Sequence, residues 1–128
     1  MFTIDQINTI HDHLGKARTF LQYVQALHKL GVTCYDSFLS DGHSQYFGAN
    51  DYSVQTPALH ERLTIAASGD KASLSKHLDL HAKGKTTYLE LSKGLADSGV
   101  QKWTVDTTKH TMTFYDTAGS ALLTETIE

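Results

Sequence analysis

The chain has one cysteine, one proline and no block of like charge among its 128 residues. With Cys34 alone, an internal disulfide is excluded. The longest apolar stretches run only a few residues, far short of the ~20 a bilayer-crossing helix needs, so no membrane span is expected. Lys and Arg number 11 against 14 Asp and Glu, a formal net charge of -3, and they are scattered. A basic footprint for phosphate backbones is missing, so nucleic acid is not an expected partner. The opening Met1-Phe2-Thr3-Ile4-Asp5 lacks the basic segment and apolar core of a signal peptide, and a cytoplasmic location is expected. No low-complexity stretch marks a linker. Residues 1–128 are therefore expected to fold as a single domain, long enough to bury a core without a structural metal.

What the sequence does contain is a repeat. Thr19-Phe-Leu-Gln-Tyr-Val-Gln-Ala-Leu-His-Lys-Leu-Gly-Val-Thr-Cys-Tyr35 lies over Thr87-Tyr-Leu-Glu-Leu-Ser-Lys-Gly-Leu-Ala-Asp-Ser-Gly-Val-Gln-Lys-Trp103, an offset of 68 residues set by Gly31 and Gly99. The identities fall where helices begin and end. Thr19-x-x-Gln22 and Thr87-x-x-Glu90 both read as capping boxes. Gly31 and Gly99 stand where a left-handed residue closes a helix before a β-branched valine. Upstream, Thr3-x-x-Gln6 opens a stretch with Ile4, Ile7, Ile10, His11 and Leu14 at helical spacing, matched by Leu74, His77, Leu78 and His81. Gly15-Lys16 and Gly84-Lys85 read as the turns of two helical hairpins. Gly84-Lys85-Thr86 also resembles the end of a phosphate-binding loop, but Asp79 stands where that loop needs glycine, and the segment follows a helix rather than a strand.

After each hairpin come alternating segments broken by turn residues: 32–39, 43–47 and 52–56, then 101–106, 110–115 and 121–127. The unit is ααβββ, present twice: repeat 1 over about 3–57, a connector over 58–68 in which Leu63-Thr-Ile-Ala66 could add a short strand, and repeat 2 over about 70–128. Strands beside paired helices predict an α+β fold, with helical hairpins packed on one face of a largely antiparallel sheet and a pseudo-two-fold axis relating the halves. Alternation puts Tyr35, Ser37, Leu39, Trp103, Val105 and Thr107 on the core face and turns Cys34 away from it.

Candidate chemistry is sparse. The stretch from Tyr35 to Tyr52 is where the copies differ most in polar character, so Asp41, His43, Tyr46 and Asn50 are the candidate ligand-binding residues, with His43 as an acid or base if a carboxylate converges on it. The same residue types serve turns and strands, which is the competing reading. His77-x-x-x-His81 puts two imidazoles on one helix face, as a metal site needs, but inside an apolar stripe and with no third ligand in the local sequence. No metal or other cofactor is therefore expected, with His77 and His81 as the alternative. Cys34 could act as a nucleophile only with a lowered thiol pKa and a histidine such as His43 beside it.

Leu30-Gly31-Val32, Asp41-Gly42-His43, Tyr46-Phe47-Gly48, Tyr52-Ser53-Val54, Pro57, Glu61 and Leu63-Thr-Ile-Ala66 form a pattern, continued by Gly84-Lys85-Thr86, Ser98-Gly99-Val100, Lys102-Trp103, Asp106, Tyr115-Asp116 and Ala118-Gly119. Over essentially the full chain it resembles the YbcV-like family of short bacterial and prophage-borne proteins of unknown function, some labelled phage envelope proteins. That resemblance implies bacterial or prophage origin and carries over no activity or catalytic residues. His60 stands where those relatives commonly have tyrosine. The leading expectation is a non-enzymatic binding or interaction domain, with a homodimer as one arrangement. The alternatives are a small enzyme or ligand-binding protein with a site near Asp41 to Asp51, and histidine-based metal binding.

Overall fold

Local chemistry sets the helix ends of the computed structural model, which describes residues 2–14 and 19–127. Helix α1, Ile4–Leu14, opens on a reciprocal cap in which the Gln6 side chain accepts from the Thr3 amide at 2.8 Å and Thr3 Oγ1 accepts from the Gln6 amide at 3.2 Å. Helix α2 spans Phe20–Leu30. Strands β1 Cys34–Phe38, β2 Ser44–Phe47 and β3 Ser53–Gln55 follow. The second unit has α3 Lys71–Ala82, α4 Tyr88–Asp97, β4 Lys102–Asp106, β5 Thr111–Tyr115 and β6 Ala121–Thr126. The ααβββ unit is thus present twice, and the class is α+β.

The two copies close their second helices alike. Val32 N–H donates to the Leu27 carbonyl and Val100 N–H to the Leu95 carbonyl, each at 3.0 Å, with Gly31 at φ 110° and Gly99 at φ 84°. This bond satisfies a helix-end carbonyl that would otherwise lack a partner. The openings differ. Thr87 and Glu90 make the predicted capping box, whereas Thr19 makes no side-chain cap bond and its hydroxyl donates to the Leu14 carbonyl at 2.8 Å. Thr19 has ψ 16°, not the extended backbone a cap residue adopts, so the hydroxyl reaches back to α1 instead. Of the two hairpin turns, Gly84 carries φ 73° between α3 and α4; Gly15-Lys16 lies outside the described residues.

The strands form one six-stranded antiparallel sheet in the order β3-β2-β1-β4-β5-β6. The central pair carries the symmetry. Asp36 faces Thr104 across β1 and β4, and these two residues are equivalents at the 68-residue offset, so the pseudo-two-fold axis passes between them. The flanking bonds come in pairs: Leu39 N–H to Gln101 O at 3.0 Å and Thr107 N–H to Thr33 O at 3.1 Å, then Thr33 N–H to Phe47 O and Gln101 N–H to Tyr115 O, both at 2.8 Å. The connector has no strand at Leu63–Ala66; Leu63 N–H donates to Ser40 O and Ala66 N–H to Ala96 O, single bonds to separate elements rather than a ladder.

Both hairpins cover the same sheet face. Ile7, Tyr23, Val24 and Leu27 pack with Tyr35, Tyr46 and Val105, while Leu74, Leu91 and Leu95 pack with Leu39, Val100 and Phe114. Tyr35, Ser37, Leu39, Val105 and Thr107 are buried, as alternation requires. The opposite face carries no helix of the described residues. There Thr104 Oγ1 donates to Asp36 Oδ1 at 2.5 Å, and Lys102 Nζ lies 3.5 Å from Asp36 Oδ2.

Candidate functional site

The two helical hairpins do not close over the middle of the sheet. Between them and the strands lies a cavity of about 660 Å³, within the size range of small-molecule sites. Its floor is the core face of the central strands, with Tyr35 and Ser37 from β1, Ser44 and Tyr46 from β2, Trp103 from β4, and Met112 and Phe114 from β5. The walls come from His11, Phe20 and Tyr23 on one side and Leu78, His81, Tyr88, Leu91 and Leu95 on the other. Leu59 and Tyr88, 65% and 42% exposed, mark where it meets solvent.

At several core-face positions the two copies of the repeat differ in chemistry. Tyr23, Ser37, Ser44 and Tyr46 of the first copy correspond to Leu91, Val105, Met112 and Phe114 of the second. Although Val105 is buried outside the lining and the lining pair Phe20/Tyr88 carries its hydroxyl on the second copy, at these four positions the first copy has hydroxyls where the second has hydrocarbon. These hydroxyls are coupled: Tyr23 and Tyr46 share a hydrogen bond at 3.2 Å, and Ser37 and Ser44 one at 2.8 Å across β1 and β2. Burial pushes the phenols of Tyr23 and Tyr35 well above the ordinary tyrosine range and raises that of Tyr46, so all three are neutral donors at physiological pH.

Tyr35 and Trp103 are equivalents that flank the axis on the core face. The Trp103 Nε1–H is buried and has no hydrogen-bond partner among the described residues. It lies close enough to Tyr35 to offset part of the burial penalty on that phenol, but at a geometry short of a hydrogen bond. An unmade hydrogen bond of this kind costs stability that a bound acceptor recovers.

The candidates named from sequence are divided by the fold. Tyr46 is in the cavity. Asp41 and His43 come together at the tip of the β1–β2 hairpin, with His43 Nδ1 2.5 Å from Asp41 Oδ1 and the imidazole stacked on Phe38 at 4.5 Å between centroids. The His43 backbone amide holds the Asp41 carboxyl below the usual carboxylate range. Neither residue lines the cavity. Asn50, at φ 59°, and Asp51, at φ 62°, make the exposed turn between β2 and β3.

The histidine pair on α3 also separates. His77 packs against Gly94 of α4, where a Cβ would stand 2.5 Å from its Nδ1. His81 Nδ1 meets the Thr86 carbonyl and hydroxyl at 3.2 and 3.1 Å while its ring lines the cavity. Among the described residues no three His, Cys, Asp or Glu side chains gather as a metal set. Cys34 pairs with Phe47, whereas His43 stacks on Phe38. Four strand residues, roughly 13 Å, separate the two ends of β1. Burial pushes the Cys34 thiol up, the opposite of what a thiolate nucleophile needs.

Sequence reasoning did not find Tyr23, Tyr35, Trp103 or the two serines as a site. The available signal was a conflict: Ser37 and Tyr35 fall on the face that alternation assigns to the core, where a hydroxyl needs a partner. The arrangement is suited to holding a small molecule. Neither His11 nor His81 hydrogen-bonds a floor hydroxyl among the described residues, so the cavity shows no nucleophile activated by a base. No curated protein matches the chain. Residues 8–126 match the family described as Protein of unknown function (DUF1398), and the chain belongs to that family.

Proposed function

We propose that the chain is a non-enzymatic, cytosolic binding domain whose ligand is a small, mainly apolar molecule held between the two copies of the repeat. One observation carries this reading: an aromatic-lined cavity of about 660 Å³ open to solvent beside Leu59 and Tyr88. A space of this size and lining, with a few converging polar groups, is the usual form of a ligand site. The YbcV-like resemblance, with its prophage-borne members, belongs to the same proposal and supplies no competing activity.

The test is saturable binding of the neutral fluorophore N-phenyl-1-naphthylamine, by wild type and by an Ala82→Trp variant. Ala82 is exposed and lines the cavity, so the indole obstructs the opening without entering the core. Expected is one site per chain in the wild type and at least tenfold weaker binding in the variant. Equal binding by both proteins, or none by either, contradicts the proposal.

The Asp41–His43 contact supports a second reading, acid–base chemistry at the hairpin tip, because an oriented imidazole is what such catalysis requires. The two readings separate on position. A ligand that perturbs His43 and Phe38 but leaves Met112 unchanged favours the second.

A further inference from the structure

The polarity of the cavity is directional, and that narrows what it can hold. Its described lining contains no Lys or Arg, and its only carboxylate, Glu125, is exposed. An anion reaching the floor would meet no Lys or Arg, only the wall imidazoles of His11 and His81 being able to offer it a positive charge. The floor instead offers donors. Trp103 Nε1–H can only donate, and it has no partner among the described residues. Tyr35 beside it is buried and neutral, and a phenol oxygen is a poorer acceptor than donor because a lone pair is delocalised into the ring. Because the indole falls short of a hydrogen bond to Tyr35, the indole proton is left for a bound acceptor, with the Tyr35 hydroxyl beside it. The Tyr23–Tyr46 bond uses one hydroxyl proton and leaves the other. A cation, which aromatic faces can attract, satisfies none of these protons.

We infer that the ligand is uncharged, with a carbonyl oxygen that accepts from Tyr35 and Trp103 at the pseudo-two-fold axis and a flat hydrocarbon body against Leu91, Met112 and Phe114. This rests on the cavity being the binding site. Both copies then donate to the carbonyl, through Tyr35 of the first and Trp103 of the second, while Leu91, Met112 and Phe114 of the second supply the apolar contact. The ligand class is a neutral aromatic or unsaturated ketone, lactone or ester.

Three probes of one shape test this by calorimetry: 2-acetylnaphthalene, 2-isopropylnaphthalene and 2-naphthoate. The ketone is expected to bind roughly tenfold tighter than the hydrocarbon, the worth of about one hydrogen bond, and the anion more weakly than either. Tyr35→Phe, which keeps the ring, is expected to reduce the ketone's advantage severalfold while leaving the hydrocarbon's affinity in place. Trp103 is the sole tryptophan, so its indole N–H gives one resonance, expected to move downfield with the ketone and far less with the hydrocarbon. Equal affinity for ketone and hydrocarbon, tightest binding of the naphthoate, or an unmoved indole resonance overturns the ligand assignment while leaving the cavity as a site. Failure of all three probes to bind overturns the site itself.

Discussion

The two copies of the repeat agree in their backbone bonds and differ in the side chains they present to the space between them. Leu27/Leu95, Gly31/Gly99 and Val32/Val100 make the same closing bond at the same length. Tyr23/Leu91, Ser37/Val105, Ser44/Met112 and Tyr46/Phe114 occupy equivalent core-face positions with opposite polarity. Helix closure and strand register are local requirements that both copies must meet to build one sheet. The floor of the cavity is under no such requirement, because neither hairpin fills it. The polar-for-apolar differences at Tyr23, Ser44 and Tyr46 fall there, in a space that both copies line.

Substitutions at equivalent positions sharpen the contrast. The largest expected effect is at the closing glycines. A Cβ on Gly99 would stand 2.4 Å from the Ser68 carbonyl oxygen, while one on Gly31 meets nothing nearer than a Phe2 ring carbon at 3.7 Å. Both residues have left-handed φ, so Gly31→Ala is expected to cost ~1–2 kcal/mol. Gly99→Ala adds a backbone clash and is expected to cost ~3 kcal/mol or more. Chemical denaturation measures both, and equal losses contradict the packing difference.

Next comes alkaline stability. The phenols of Tyr23, Tyr35 and Tyr46 have folded pKa values raised by burial. The stability they contribute is therefore complete below the unfolded value of ~10 and falls as pH climbs past it, by ~1.4 kcal/mol per pH unit for each phenol. A Tyr46→Phe variant, which makes the first copy resemble the second, is expected to show a shallower decline above pH ~10. An identical decline would place the loss elsewhere.

The helix openings give a smaller difference. Thr87→Ala removes a working cap and is expected to cost ~1 kcal/mol. Gln22, placed like Glu90 but without its cap bond, is exposed, and Gln22→Ala is expected to change stability by less than ~0.5 kcal/mol. An effect of similar size to the Thr87 cap concerns the hydroxyl pair at the cavity floor. Ser37→Ala strands the Ser44 hydroxyl and is expected to cost ~1 kcal/mol, whereas the Ser37→Ala, Ser44→Ala double variant is expected to recover most of that loss. Thermal melts of the three proteins test the coupling.

Much of the fold was legible because its determinants are short-range. The Thr87–Glu90 cap, the two closing glycines and the alternation at Tyr35 to Leu39 each depend on residues within a few positions of one another, and all are realised. Thr19-x-x-Gln22 has the same spacing as a cap but fails, since its backbone torsion is set by the approach of the chain from α1. Leu63–Ala66 has strand-forming residues, yet its amides reach single carbonyls on Ser40 and Ala96, so composition could not reveal the missing ladder. The cavity was less legible still. It arises from the distance between two helical hairpins over a shared sheet, and no local pattern encodes that distance. Tyr46 could be singled out for its place in a divergent segment, but Trp103 and Tyr23 become neighbours of it only through the register of β1 with β4 and the packing of α2.

The most direct measurement is a nuclear magnetic resonance map of the residues perturbed by N-phenyl-1-naphthylamine in the wild-type chain. If the cavity between the copies is the binding site, shifts fall together on Tyr35 and Tyr46 of the first copy and on Leu91, Met112 and Phe114 of the second, with Asp36, Phe38 and Phe47 of the opposite face unmoved. Shifts confined to that opposite face, or to the hairpin tip at Asp41 and His43, would contradict it.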